Sequence, residues 1–390
     1  MAVPLTITKA QARCIWLRSQ RLDELAPFGS GPAATQAAVE HLGYVQIDTI
    51  NVIERCHHHI LYSRIPEYQR DHLRLAQSVD KTVFEYWTHA LAYVPTRDFR
   101  FYVRDMRQQS RKPHPWFAGV KDTDVRRLVL RIRKHGALSI RDIDDDVLVE
   151  KEHEWASRKP SKRALQFAFF KGLLTISQRT GMLKSYELTA RHFGWVKLPP
   201  AASERETLHH LLERSLRSQG IVSLDSMCHL SAWRKPGLKR IVEARVRRNE
   251  LVSVVLEGAQ KVEHWVRPET LDTSLARPSD GSTHEAAHGL VHILSPFDPL
   301  IIQRKRLHLF FDYLHRFEAY VPKHKRVFGY FACPVLAGDQ VVAAIDLKTD
   351  RERRKLLVQK WTWLSKGAAR AHKQTVEQAL HRFEKFQLAH

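Results

Sequence analysis

Cysteine is scarce in this chain. Its four cysteines among 390 residues, Cys14, Cys56, Cys228 and Cys333, stand far apart, and no CxxC pair occurs. Neither a zinc ribbon nor a dithiol redox motif is suggested, and scattered single cysteines fit a reducing compartment. Long apolar runs are also missing: nothing approaches the roughly 18 apolar residues that a membrane-crossing helix requires. The N-terminal MAVPLTITKAQAR has no apolar stretch ahead of a small-residue cleavage site, so no signal peptide is read and the cytoplasm is the expected location. There is no Walker loop, GxGxxG fingerprint or HExxH pair, which removes simple ATPase, dinucleotide and zincin readings. Negative charge is in short supply as well. There are 42 acidic residues against 63 Lys and Arg, giving a formal charge of +21 and a pI of about 10.0. Such an excess attracts a polyanion, most simply nucleic acid.

What is present is a globular composition, 43% hydrophobic and 27% charged, which argues against wholesale disorder. The length allows two or three compact units. A pattern of helices followed by strand, turn and strand recurs three times. It is clearest over 122–192, where Val125, Leu128, Val129 and Ile132 mark one helix face and Gly136 ends that helix. A short helix can follow Ser139, a third covers 162–171 with Leu165 and Phe169, and LLTISQRTGMLKSYELT reads as a hairpin. Over 205–268, Leu208, Leu211, Leu212 and Leu216 line one helix and Leu238, Ile241, Val242 and Val246 another. LVSVVL and KVEHWV then form strands around Gly258. The N-terminal copy is less regular: Thr8 and Gln11 fit a capping box opening a helix through Leu22, a helix follows over 34–42, and YVQIDTINVIE alternates as an extended segment.

The fold class expected is mainly α with small β-hairpins, as tandem winged-helix repeats with a C-terminal α+β region. The segments are 1–95, an N-terminal winged-helix-like part carrying QID; 96–200, a basic helical segment and winged helix; 201–268, a winged helix; 269–287, a linker; and 288–390, an α+β region packing with the N-terminal part. A helix–turn–helix core can seat one helix in the major groove while the hairpin touches backbone. Residues 97–134 hold twelve Lys and Arg against four acids, with Tyr102, Trp116 and Phe117 interleaved. They read either as a solvated helical face or as a phosphate-tracking groove. The acidic cluster Asp142, Asp144, Asp145 and Asp146 would face away from DNA.

Cys56-His57-His58-His59 invites a metal reading, but adjacent ligands on one segment point in different directions, so no metal or other cofactor is expected. Gln46-Ile47-Asp48 is the better candidate for chemistry. On an extended segment Gln46 and Asp48 share a face while Val45 and Ile47 point into the core. Loss of a base from deoxyribose builds positive charge at the anomeric carbon. A carboxylate can stabilise that charge or polarise a water that an amide orients. The plain alternative is that Asp48, followed by Thr49, caps a turn.

Several blocks together go further: LGYVQIDTINVIERCHHHILYSRI, FEYWTHALAYVPTRDFR, LSPFDPLIIQRKR and FDYLHRFEAYVPKHKRVFGYFACPVL. With them the chain resembles, over essentially its whole length, the YcaQ (AlkX) family of bacterial DNA glycosylases, relatives of AlkZ. The resemblance implies winged helices bent around duplex DNA and hydrolytic excision of N7-alkylated purines, including unhooking of interstrand crosslinks. It also implies a catalytic motif of Gln, an aliphatic residue and an acid, which maps onto Gln46, Ile47 and Asp48. The AlkZ cousins carry a second Gln last, so Asp48 implies the broader-substrate branch. CHHHI departs from the more usual Arg-Ser ahead of the histidines.

A crosslinked base cannot swing freely into a closed pocket, so an open site is expected. Arg55, His57, His58, His59, Arg64, Arg304 and Arg306 are candidates to contact DNA, and Tyr86, Trp87, His89 and Asp298 could line the site. No isolated lysine adjoins QID, so a monofunctional enzyme is expected. Its partner would be damaged double-stranded DNA, acted on by a monomer at the nucleoid and not at a membrane. The alternatives are a non-enzymatic winged-helix regulator and a protein-interaction scaffold.

Overall fold

The computed structural model describes residues 3–143, 147–151, 157–275 and 290–389. It divides into two compact units, Met1–Tyr68 with Leu208–His390, and Gln69–Thr207. These units cut across the segments read from sequence: the first 68 residues share a core with the last third of the chain. Helix outweighs strand, and the strands lie in several small sheets.

In the first unit, Thr8 caps the Lys9–Ser19 helix, exchanging bonds with Gln11 as the sequence predicts. That helix stops at Ser19, short of the expected Leu22, and presents Ala12, Ile15 and Trp16 to a core shared with Leu256, Leu307, Phe310 and Leu336. The Leu5–Ile7 strand runs parallel to Val252–Leu256, which pairs antiparallel with Ala259–Val266. The expected hairpin at 251–266 is thus a piece of a four-stranded sheet. The leucines at 208, 211, 212 and 216 and the Leu238–Val242 face form one cluster beneath it, closed by Trp265.

A second four-stranded antiparallel sheet is built from Val291–Ile293, Ala332–Ala337, Gln340–Asp350 and Lys355–Trp363. Gly338, Asp339 and Gln340, a plausible hairpin turn by residue type, lie at its tight turn, with Gly338 in the left-handed region. The Lys366–Leu388 helix, opened by a Ser365 cap, buries Val376, Ala379, Phe383 and Phe386. The expected linker is partly helical: Pro268–Leu275 forms a helix that buries Leu271 in the main core. The rest of that linker, from 276, lies outside the described residues.

The Gln69–Thr207 unit holds the Asp122–His135 helix; of the four residues its periodicity marks, Val125, Leu128 and Ile132 are buried and Val129 is half-buried. It also holds the Pro160–Phe170 helix and the Leu174–Thr180 and Leu183–Leu188 hairpin, with Leu138–Ser139 on the hairpin's outer edge. Tyr102 and Phe117 are buried here, Phe117 against Phe167 and Phe170, while Trp116 is exposed. Of Tyr102, Trp116 and Phe117, only Trp116 offers an exposed ring. Asp142 accepts from the Ser139 backbone and hydroxyl, so it works as a local cap. Asp144, Asp145 and Asp146 lie outside the described residues. Glu85 is fully buried and pairs through both oxygens with Arg179, at 2.5 and 2.6 Å.

The Gly31–Leu42 helix delivers the chain to QID. It ends on Gly43, in the left-handed region at φ 78°, with its N–H on Val39 O. A Cβ there would fall 2.3 Å from the Arg214 side chain, which lies over the Tyr44 ring. Gly43→Ala is therefore expected to lower stability by about 1–2 kcal/mol, read as a shifted midpoint in urea unfolding with an unchanged slope.

Candidate active site

Only Val45–Gln46 of the expected extended segment is strand. The reason is local. Asp48 Oδ1 accepts the Ile50 N–H at 2.8 Å, a turn closed by the side chain, which ends the extended run two residues past Gln46. The turn reading of Asp48 is the one this bond shows. Asp48 caps a turn, and that turn fixes its carboxylate.

The rest of the segment is held from three sides. The Cys56 thiol donates to Gln46 O at 3.1 Å, tying the strand to the Cys56–Tyr62 helix. Thr349 N–H, near the end of the Gln340–Asp350 strand, donates to Val52 O at 2.8 Å. Glu54 N–H donates to Gln387 Oε1, and Gln387 also accepts from the Thr349 hydroxyl. Arg351 reaches Asn51 Oδ1 at 2.9 Å. Thr349, Arg351 and Gln387 carry no motif, and they lie about 300 residues along the chain from the residues they hold. Nothing short of the folded sheet brings them into view.

Gln46 and Ile47 are buried, whereas Asp48 is half-buried. Burial raises the Asp48 pKa above the ordinary carboxylate value, and the Ile50 and Thr49 amides only partly offset it. The Cys56 thiol is pushed well above its usual range, first by burial and then by the negative Asp48 nearby. It stays protonated and serves as a donor, which excludes it as a thiolate nucleophile.

The residues expected to meet DNA divide sharply. His59 is fully buried: Nε2 lies 2.7 Å from Ile293 O, the ring packs on Phe383, and burial pushes its pKa down to about 4. Arg64 is fully buried too, and all five of its N–H groups are used. They reach Gln20 O and Oε1, Ile60 O and both oxygens of Asp298. Arg306 is sandwiched against the Trp16 and Phe310 rings at 4.2 and 4.7 Å and donates to Ile221 O. These three are core residues and present nothing to a phosphate. Asp298, expected as a site-lining group, is fully buried on Arg64 and on the Leu300 N–H. It fixes the SPFDP turn.

His57 is buried against the His58 ring. His58 is half-buried, 2.7 Å from the Tyr68 hydroxyl. Arg55 and Arg304 are half-buried, Arg304 over the Phe317 ring. Tyr86, Trp87 and His89 belong to the other unit. There the Tyr86 hydroxyl donates to Phe170 O inside the core, Trp87 packs edge-on against Trp116, and His89 sits beside Thr88. Among the described residues no group of three His, Cys, Asp or Glu side chains could hold a metal ion, and no helix is long and apolar enough to cross a membrane.

The profile of the family described as DNA glycosylase AlkZ-like matches residues 39–386. The chain belongs to the AlkZ-like DNA glycosylase family. Its structure is also similar to the solved structure of the Streptomyces sahachiroi DNA glycosylase AlkZ, with a TM-score of 0.61 and 16% sequence identity, over 96% of this chain and 97% of that one. At that identity the likeness shows a shared fold. Family membership makes DNA the polymer acted on and places the chain among DNA-repair glycosylases. The matched span contains the whole Gln46–Asp48 motif and every side chain described above that holds it except Gln387, one residue beyond its end.

Proposed function

We propose that this family member excises N7-alkylated purines from duplex DNA, including purines joined across the two strands, by hydrolysis of the N-glycosidic bond. The observation that carries the reading is the Asp48 carboxylate, half-buried and fixed on the Ile50 amide beside Gln46. An N7-alkylated purine is already cationic, so the leaving group needs no strong general acid. What the bond-breaking step needs is a negative group near the anomeric carbon as it gains positive charge, held in place beforehand. Asp48 stabilises that charge and takes a proton from the attacking water, and Gln46 orients the water. Burial that raises the Asp48 pKa makes it a better base than a solvated carboxylate and narrows its ionised range on the acid side.

Water rather than a lysine amine is the proposed nucleophile, because no lysine adjoins Gln46–Asp48 in the sequence. Tandem winged helices are the proposed DNA-gripping frame. The order helix, short strand, two helices and hairpin, present at 204–266 and 122–188, supports that reading.

The test is a duplex carrying one N7-methylguanine and a second carrying a nitrogen-mustard crosslink. Alkali should reveal an abasic site in the first and separated strands in the second. Borohydride should trap no covalent complex. Intact glycosidic bonds on both duplexes, at saturating protein, would remove this proposal.

A further inference from the structure

The segment 313–331 is a built feature that Gln46 and Asp48 do not use. Its sequence, YLHRFEAYVPKHKRVFGYF, has one acid, Glu318, against Arg316, Lys323, Lys325 and Arg326. That acid is turned inward. Glu318 is 4% exposed, and its carboxylate accepts the N–H groups of Val327, Phe328 and Gly329 at 2.8, 2.7 and 3.1 Å. Asp346 takes the next two amides, Tyr330 and Phe331, at 2.8 and 2.9 Å. Gly329 sits at φ 131°, where a Cβ would fall 2.2 Å from the Asp346 carboxylate, so only glycine fits the crossing. Two buried carboxylates thus clamp five consecutive amides, and the loop's exterior is left with cations alone.

The exterior has a second property. Tyr320 is 73% exposed, with one edge on the Phe317 ring, and Tyr330 is exposed beneath the Arg326 guanidinium, 5.0 Å from its centroid. Arg316, Lys323 and Lys325 are exposed and make no salt bridge with a described residue. Aromatic faces interleaved with such cations on a rigid backbone suit a DNA strand: phosphates for the charges, a sugar or unstacked base for the ring. The position suits it too. Asp346, which holds this loop, and Thr349, which holds the segment after Asp48, are three residues apart on one strand, roughly 10 Å at the usual rise. The loop and the segment after Asp48 thus hang from one strand.

We infer that the 316–330 loop is a DNA-strand platform. Arg316, Lys323 and Lys325 hold phosphates of the bound strand, and Tyr320 packs on a sugar or unstacked base. The inference needs DNA as the polymer, which the family supplies, and does not depend on Asp48 being the catalytic group.

The test measures binding to a duplex containing a tetrahydrofuran abasic analogue, by fluorescence anisotropy over a salt series. For Lys323→Gln/Lys325→Gln, affinity should fall and the slope of log K against log salt should lessen by about 2. Tyr320→Ala should bind roughly tenfold more weakly, with Tyr320→Phe restoring affinity. A control pair, Lys366→Gln/Arg370→Gln, removes the same charge from the exposed start of the last helix and should leave the slope nearer to wild type. An unchanged slope in the Lys323/Lys325 pair, or an equal loss in the control, overturns the platform. Tyr320→Ala binding like wild type overturns the stacking role. Failure of the Asp48 mechanism would show in single-turnover excision by Asp48→Asn and leave this binding series intact.

Discussion

Asp48→Asn is expected to lower excision of N7-methylguanine by roughly 10²–10⁴-fold at neutral pH while leaving the protein folded. The amide oxygen of the introduced asparagine can still accept the Ile50 N–H, so the turn survives. Stability should hold or rise. The Asp48 pKa is raised in the folded protein, mainly by burial, so ionising it favours the unfolded chain. Its contribution to stability is therefore complete below the unfolded-state pKa and lost as pH rises through the folded one. The ionised form at neutral pH is thus destabilising, and the neutral amide removes that effect. Catalysis runs the other way. It needs the carboxylate ionised, so kcat/KM of the wild type should drop on acidification through a pKa above the ordinary carboxylate value. The residual activity of Asp48→Asn should lack that limb. Two measurements decide it: alkali-revealed abasic sites across pH, and thermal unfolding at neutral pH. A variant that cleaves like wild type rules out Asp48 as the catalytic carboxylate. A variant that loses activity only because its melting point collapses rules out the clean separation of turn and chemistry.

The second large effect concerns folding. Asp298→Ala should destabilise the first unit by about 3–5 kcal/mol, because it strands the Arg64 guanidinium in a fully buried site. Arg64 joins the end of the Lys9–Ser19 helix, through Gln20, to the Cys56–Tyr62 helix and to the 295–301 turn. Its loss should therefore loosen the support beneath His59 and the motif together. Arg64→Met/Asp298→Leu should recover part of the stability, since neither charge is then buried, although the Leu300 N–H is left without the carboxylate. Urea unfolding of the two single variants and the double one checks this. If Asp298→Ala costs no more than an exposed salt bridge does, the pair is not what holds these segments.

Much of the frame is legible in sequence because local physics sets it. Thr8 and Gln11 announce their capping box, Val125, Leu128 and Ile132 their buried face, and Gly338 its hairpin. Those signals depend on residues within a few positions of one another, so a linear reading suffices. The site was half legible. Gln46 and Asp48 stood out by type and spacing, and the resemblance gave them a role. Yet Asp48 ends the strand instead of continuing it, because its carboxylate finds the Ile50 amide two residues on.

What sequence misjudged were the charged and ring residues around the motif. Arg64, Arg306, His59 and Asp298 look like contacts for a polyanion because such side chains usually lie outside. Each is buried here because a partner far along the chain meets it: Asp298 for Arg64, Ile221 O for Arg306, Ile293 O for His59. By itself the sequence determined that this is a basic, helix-rich chain with a Gln and an Asp two residues apart at positions 46 and 48. Tertiary structure decided which charges face a ligand and which hold the fold together. It alone sets each group's distance from water, and so whether a charge is free to meet phosphate or must be satisfied from within.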